Sequence, residues 1–298
     1  MKYFLKRISS YFLIWFIALN LLGFLLDFVQ QKSNIFKSNR IFKENYNQNI
    51  ILGSSRALTG IKTPVLNNVT GLKWSNLSID DSPFELHLLQ LQLLINNNKK
   101  PKRIILQYDR DFYEKNYKFQ LSERDYQFLT FTITHGNADL WNYFKCKEKA
   151  LGSLLYCVPI TKYIYFNTEL LFSTLQLLIK PQYTHRSDEF GDYSYPENRP
   201  SENSKKLNRS PKNINLNDPL LERFKNLCDR HSIELYVYTA PYLNEKAVFV
   251  NNKNLHYLDL STFYNEPNCF YDELHITNNA RDSISITLGN YINDKISR

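Results

Sequence analysis

Short apolar runs alternating with helical patterns over residues 49–298 predict an α/β domain with a mostly parallel central sheet. A continuous apolar stretch near the N-terminus predicts one membrane-spanning helix ahead of that domain. A third region, at about residues 113–218, breaks the alternation and reads as an insertion. Composition fits this division. At 43% hydrophobic and 15% aromatic the chain has material for a packed core, which excludes a disordered protein. Only 8 Gly among 298 residues excludes a collagen-like or glycine-rich one.

The N-terminal stretch comes first. Lys2, Lys6 and Arg7 precede YFLIWFIALNLLGFLLDFV, which only Asn20, Gly23 and Asp27 interrupt. Counted from Ile8 to Val29 it has the roughly 20 residues a span requires. A cleaved signal peptide would end in small residues, whereas this run ends in Leu26, Asp27, Phe28, Val29 and Gln30. A buried core helix is the other reading; basic residues before the run and the polar QQKSN after it favour a membrane. The positive-inside rule then keeps the N-terminus in the cytoplasm and places the rest outside. Residues 1–30 are thus the anchor, and 31–48 a stalk or linker helix carrying Ile35, Phe36, Ile41 and Phe42 at helical spacing.

Within 49–298 the elements follow in order. NIIL (49–52) is a strand ending at Gly53, and LKWSNL (72–77) a second one, followed by the helical pattern FELHLLQLQLLI. RIILQY (103–108) is a third strand after the turn-forming NNNKKP. LLERFKNLCDRH is a helix with Cys228 on its apolar side; it leads to the strand IELYVY (233–238). HYLDL (256–260) precedes a loop and a closing helix from Thr277 to about Ile296. The inserted region looks helical to about Ile179; from Lys180 to Asn217 it reads as a long surface loop.

Charge and cysteines narrow the partners. With 37 basic against 29 acidic residues the net charge is +8, but Lys and Arg are scattered apart from short clusters at Lys99–Arg103 and Lys205–Lys206. There is no long basic helix and no zinc-finger spacing, so nucleic acid is not an expected partner. Cys146, Cys157, Cys228 and Cys269 form no CxxC pair, and only Cys228 and His231 approach zinc spacing, so no metal is expected. A Cys146–Cys157 bridge and four free thiols are equally open. There is no phosphate-binding glycine loop or dinucleotide fingerprint, so no cofactor is expected.

Two segments carry candidate chemistry. IILGSSRAL (50–58) runs a strand straight into Gly-Ser-Ser and a helix, which sets a serine at the carboxyl end of the sheet. It approaches a nucleophile elbow, although Ala57 occupies the place of the second glycine. FYDELHITNNA (270–280) puts Asp272 three residues before His275, a spacing that lets a carboxylate orient an imidazole base. Each segment also has a plain structural reading: a serine pair capping a helix, and an aspartate cap beside a polar loop histidine.

Together, GSS after the first strand and DxxH before the last helix resemble the SGNH (GDSL-like) hydrolase superfamily. The closer resemblance is to its membrane-anchored branch, found with bacterial cell-surface polysaccharide and teichoic-acid acylation systems. It covers about residues 49–298 without the insertion, and implies a three-layer αβα, flavodoxin-like domain. It also implies that Ser55 attacks an ester carbonyl, His275 takes its proton and Asp272 orients the imidazole. The chain departs from the family in two places. The turn NLSIDDSP has Asp80 or Asp81 where an oxyanion-hole glycine would lie, and Asp109, Arg110 and Asp111 replace the GxND turn with its donating asparagine. Asn76 could donate in its place or anchor the turn.

Arg56, beside the candidate nucleophile, could bind an anionic substrate group; a salt bridge to Asp109 or Asp111 is the favoured role. His87 reads as structural, while His135, His185, His231 and His256 have no evident partner. Tyr183, Phe190, Tyr193 and Tyr195 could stack on sugar rings or simply pack down. The expected activity is that of a membrane-anchored, extracytoplasmic serine esterase or O-acyltransferase acting on acyl, in the first place acetyl, esters of a cell-surface polysaccharide. The alternative is a catalytically inactive partner of the same fold that binds glycan or assists a membrane O-acyltransferase.

Overall fold

The computed structural model describes residues 1–41, 48–108, 125–134, 138–195, 209–250 and 255–297. In chain order it contains α1 (Lys2–Lys32), α2 (Lys37–Ile41), β1 (Asn49–Leu52), α3 (Ser55–Leu58), α4 (Thr63–Thr70), β2 (Trp74–Asn76), α5 (Phe84–Asn96) and β3 (Arg103–Gln107). The helices α6 (Tyr126–Thr134), α7 (Ala138–Lys147), α8 (Lys149–Cys157) and α9 (Ile160–Tyr165) follow. A π-helical turn over Asn167–Phe172 leads into α10 (Ser173–Ile179). Then come β4 (Ser210–Asn215), α11 (Pro219–Arg230), β5 (Glu234–Thr239), β6 (Glu245–Val250), β7 (His256–Asp259) and α12 (Arg281–Ile296).

The chain divides into two compact units. One joins Met1–Glu44 to Lys118–His185; the other joins Asn45–Tyr117 to Arg186–Arg298. The division differs from the expected anchor, stalk and inserted domain. Residues around 31–41 are no free stalk: Ile35 and Phe36 are buried, and the Phe36 ring packs 6.2 Å from Tyr126 and 5.5 Å from His185. Phe42 lies outside the described residues. Within the same unit His185 meets Glu169, Ser173 and Tyr183, so it has the partners its sequence position did not reveal.

α1 is long and apolar enough to cross a membrane, and only 11% of its most apolar window is buried. A helix at the core of a soluble domain would bury most of that surface.

In the second unit β2, β1, β3, β5 and β7 lie side by side in that order, all parallel. Every residue of β1 and β3 is buried, as expected of central strands covered on both faces. Ile51 and Ile105 join one core with Leu66 of α4 and with Ile284, Leu288 and Ile292 of α12. Phe84 of α5 packs 5.8 Å from Phe224 of α11. Local signals set the ends: Asp218 caps α11 through the Leu220 and Leu221 N–H groups, and Gly71 closes α4 at φ 66°.

Part of the expected surface loop is ordered strand. β4 pairs in parallel with β6 in a separate two-stranded sheet, while residues 196–208 lie outside the described residues. Cys146, Cys157, Cys228 and Cys269 are all free thiols.

His87 is fully buried in α5, between the Ser82 hydroxyl at 3.2 Å and the Gln90 side chain at 3.1 Å. Burial pushes its pKa from 6.5 down to about 4, against the opposing pull of the Gln90 hydrogen bond. Between those values the unfolded chain binds a proton that the folded one refuses. The resulting stability is complete above pH 6.5 and drains away as the pH falls to about 4, a loss of about 3 kcal/mol. His87→Gln should lack this component. Urea midpoints of both proteins at neutral and mildly acid pH measure it, and equal acid losses would overturn the prediction.

Candidate active site

The first site segment is shaped by close packing. β1 ends at Gly53, where a Cβ atom would lie 2.7 Å from Gln107 Cβ and 2.8 Å from Ala57 Cβ. Only glycine lets the turn pass so near the end of β3. Ser54 then caps α3. Its N–H and its hydroxyl both donate to Gln107 Oε1, at 3.0 and 2.9 Å. With the Ser54 hydroxyl committed to Gln107, Ser55 is the serine that faces the histidine. The Ser55 N–H, in the first turn of α3, has no intrahelical acceptor.

The second segment is a tight loop after β7. An antiparallel bridge between Phe270 and Ile276 closes it, aided by a 2.7 Å hydrogen bond from the Tyr271 N–H to the His275 carbonyl. Inside the loop Asp272 Oδ1 accepts the Leu274 and His275 N–H groups, both at 2.8 Å. His275 Nδ1 lies 2.8 Å from Asp272 Oδ2, and His275 Nε2 lies 2.8 Å from Ser55 Oγ. Serine, imidazole and carboxylate therefore form one continuous line, drawn from positions 220 residues apart. Burial would raise the Asp272 pKa, but the His275 and Leu274 hydrogen bonds outweigh it and hold the carboxyl below the usual carboxylate range. Such an anion keeps a proton on Nδ1 and leaves Nε2 free to accept one from Ser55.

The other expected residues take different roles. Asn76 is fully buried. Its amide donates to the Ala57 carbonyl at 3.1 Å and to Asp192 Oδ1 at 3.0 Å, while its own oxygen accepts the Ser78 N–H. Both amide protons are engaged, so Asn76 anchors the turn and is no oxyanion donor. Asp81 stands exposed in the turn at φ 49°, the left-handed conformation that a glycine adopts freely. Asp109, Arg110, Asp111 and His135 lie outside the described residues.

Arg56 is buried and does not face solvent for an anionic substrate. Its Nε donates to the Leu274 carbonyl at 3.1 Å and its Nη2 to the Ala240 carbonyl at 2.8 Å, with the guanidinium 3.7 Å from the Tyr242 ring centroid. It ties the helix that carries Ser55 to the loop that carries His275. Sequence reasoning assigned Arg56 by proximity alone and so missed this tie.

Five further residues shape the site in ways that the sequence does not announce. Gln107 fixes the serine turn; a polar residue ending an apolar strand was its only signal. Asp192 accepts hydrogen bonds from Thr63 and Asn76, and burial keeps its carboxyl pKa above the usual range despite them. The loop bearing it is held close, since a Cβ on Gly191 (φ 91°) would lie 2.1 Å from the Asn76 carbonyl oxygen. The Tyr195 and His275 rings stand nearly perpendicular with centroids 5.6 Å apart, and Tyr195 stacks on Tyr271 at 4.4 Å with an interplanar angle of 5°. Burial raises its hydroxyl pKa, and the carboxylates of Asp272 and Asp80 add to the effect. Phe190 contributes its carbonyl to the Asn76 N–H, and Tyr193 packs edge-on to Tyr195.

Among the described residues no three His, Cys, Asp or Glu side chains converge where they could hold a metal ion. Comparison with protein-family models, with curated proteins and with solved structures found no match to this chain.

Proposed function

We propose that the protein is a membrane-anchored, extracytoplasmic serine esterase or O-acyltransferase of the SGNH type, acting on acetyl or related acyl esters of a cell-surface polysaccharide. The observation that carries this reading is the unbroken line from Ser55 Oγ through His275 to Asp272. The strand order, which reverses beside β1, supports a flavodoxin-like sheet with its site at the switch point. The charges of Lys2, Lys6 and Arg7 ahead of α1 support a cytoplasmic N-terminus.

In this mechanism His275 Nε2 takes the Ser55 proton as Oγ adds to the ester carbonyl. The Ser55 N–H faces the developing oxyanion. Collapse breaks the bond to the leaving alkoxide, which takes the proton from His275 and departs as the alcohol. The acyl group stays on Ser55. His275 then deprotonates water, giving hydrolysis, or a sugar hydroxyl, giving transfer. A second reading, a catalytically inactive partner that binds glycan or assists a membrane O-acyltransferase, draws on the engaged Asn76 amide, which leaves the oxyanion one donor fewer.

An aryl fluorophosphonate tests the nucleophile. Incubated with the full-length protein in detergent and mapped by mass spectrometry, it should modify Ser55 and leave Ser54 untouched. An unmodified Ser55 would overturn the enzyme reading and favour the inactive partner; equal labelling of Ser54 would overturn the assignment of roles at the turn.

A further inference from the structure

We propose that the segment from α9 through α10 is embedded in the bilayer beside α1, so that phospholipid acyl chains cover its outward side. The inference rests on reading α1 as a membrane span.

Three residues of α1 are buried: Gly23, Leu26 and Gln30, a single stripe at helical spacing. The α9–α10 segment is docked along this stripe. A Cβ on Gly23 would lie 2.5 Å from the Ile160 nitrogen and 2.8 Å from the Pro159 carbonyl carbon, so backbone meets backbone at the start of α9. Four residues on, the Asp27 carboxylate takes Lys162 Nζ at 2.7 Å and the Tyr163 hydroxyl at 2.6 Å. Gln30 Nε2 donates to Thr174 Oγ1 in α10 at 2.9 Å.

This docking fixes a depth. The apolar run of α1 continues past Gly23 to Phe28, five residues further or about 7 Å along the axis, and its one charge there, Asp27, is turned onto Lys162 and Tyr163. The start of α9 is therefore level with hydrocarbon wherever α1 is. A charged side chain there is tolerated only when paired and turned inward. Between Ile160 and Ile179 the sequence has just two charged residues, Lys162 and Glu169. Lys162 is held by Asp27, and Glu169 by His185.

The outward side is apolar. Phe172, Leu175 and Ile179 repeat at intervals of three and four residues on one face, with Leu178 at its margin. Phe172 is 60% exposed, Leu178 77% and Ile179 79%, and Ile164 of α9 is 61% exposed. Water is a poor neighbour for so continuous a patch. A second copy of the chain is a weaker candidate than lipid, because Phe24, Leu25 and Phe28 of α1, the helix on which α9 and α10 dock, are exposed as well, and the same acyl chains would surround them.

The full-length chain in phosphatidylcholine vesicles with a minor share of phosphatidylglycerol provides the test. The vesicles also contain a phospholipid with a photoactivatable diazirine on its acyl chain, and labelled peptides are mapped by mass spectrometry. Peptides covering Phe172–Ile179 should be labelled to the same order as α1 and roughly tenfold above α11, as expected of a helix seated ~5–10 Å into the apolar boundary. Labelling of α1 without α10 would overturn the proposal and leave the span intact; labelling of neither would overturn both. Protection of α10, with chains joined in pairs when a bifunctional amine cross-linker is added to the same vesicles, would assign the patch to a second copy and also overturn it. In the double variant Leu178→Glu, Ile179→Glu the α10 signal should fall about tenfold while that of α1 holds; an unchanged α10 signal would mean the label reports no insertion.

Discussion

Replacing Ser55 with alanine is expected to lower kcat for hydrolysis of a small aryl acetate by about 10⁴- to 10⁶-fold. The change removes the attacking oxygen and leaves the Gln107–Ser54 bonds that hold the turn. His275→Ala should fall in the same range, since the hydroxyl loses the base 2.8 Å away that takes its proton. The double variant should be no slower than either single one, because the two groups act as one unit. Asp272→Asn should cost about 10⁴-fold by favouring the wrong imidazole tautomer. With its pKa below the ordinary 3.8, Asp272 is ionised from neutral pH down to that value, and its bond to His275 is lost only as pH falls further. Rates in all variants within a few-fold of wild type would end the triad assignment.

The second large effect concerns Arg56. Arg56→Met keeps apolar volume but deprives the Leu274 and Ala240 carbonyls of a buried cationic donor. Unsatisfied buried acceptors and the lost stacking on Tyr242 should together destabilise the sheet domain by about 3 kcal/mol. Urea denaturation of the detergent-solubilised chain measures this. Where the variant is folded, kcat should fall and KM change little, because the loop carrying His275 loosens. A raised KM with unchanged stability would instead make Arg56 a substrate-binding group, the less favoured of the two roles its place beside Ser55 suggests.

The parts of this architecture that were legible in sequence share a physical cause. Central parallel strands are buried on both faces, so NIIL, RIILQ and ELYVYT are nearly continuous apolar runs in any reading. β4 has the sequence SPKNIN and is largely exposed, so nothing in it announces a strand; its pairing with β6 makes it one. α4, with TPVLNNVT, has few strong helix formers. Pro64 in its first turn, Gly71 after it and packing against α12 hold it helical.

The same contrast governs the site. Asp272 and His275 are three residues apart and Ser55 follows a strand, so their chemistry is local and readable. Gln107 bonds to a serine 53 positions earlier, and Arg56 to a carbonyl 184 positions later; such partners exist only once the chain has folded. Asn76 shows the converse. Its side chain suits an oxyanion donor, yet Asp192 and Ala57 claim both of its protons.

The distance between Ser55 and His275 along the chain also dates the site within folding. All five strands of the main sheet end by Asp259, yet the base lies sixteen residues beyond, just ahead of α12. A growing or translocating chain can therefore pair every strand and still have no base beside its serine. Contacts that span most of the chain form late, because loop closure must precede them. On the mechanism proposed above, Ser55 has no base beside it until the loop ahead of α12 is in place.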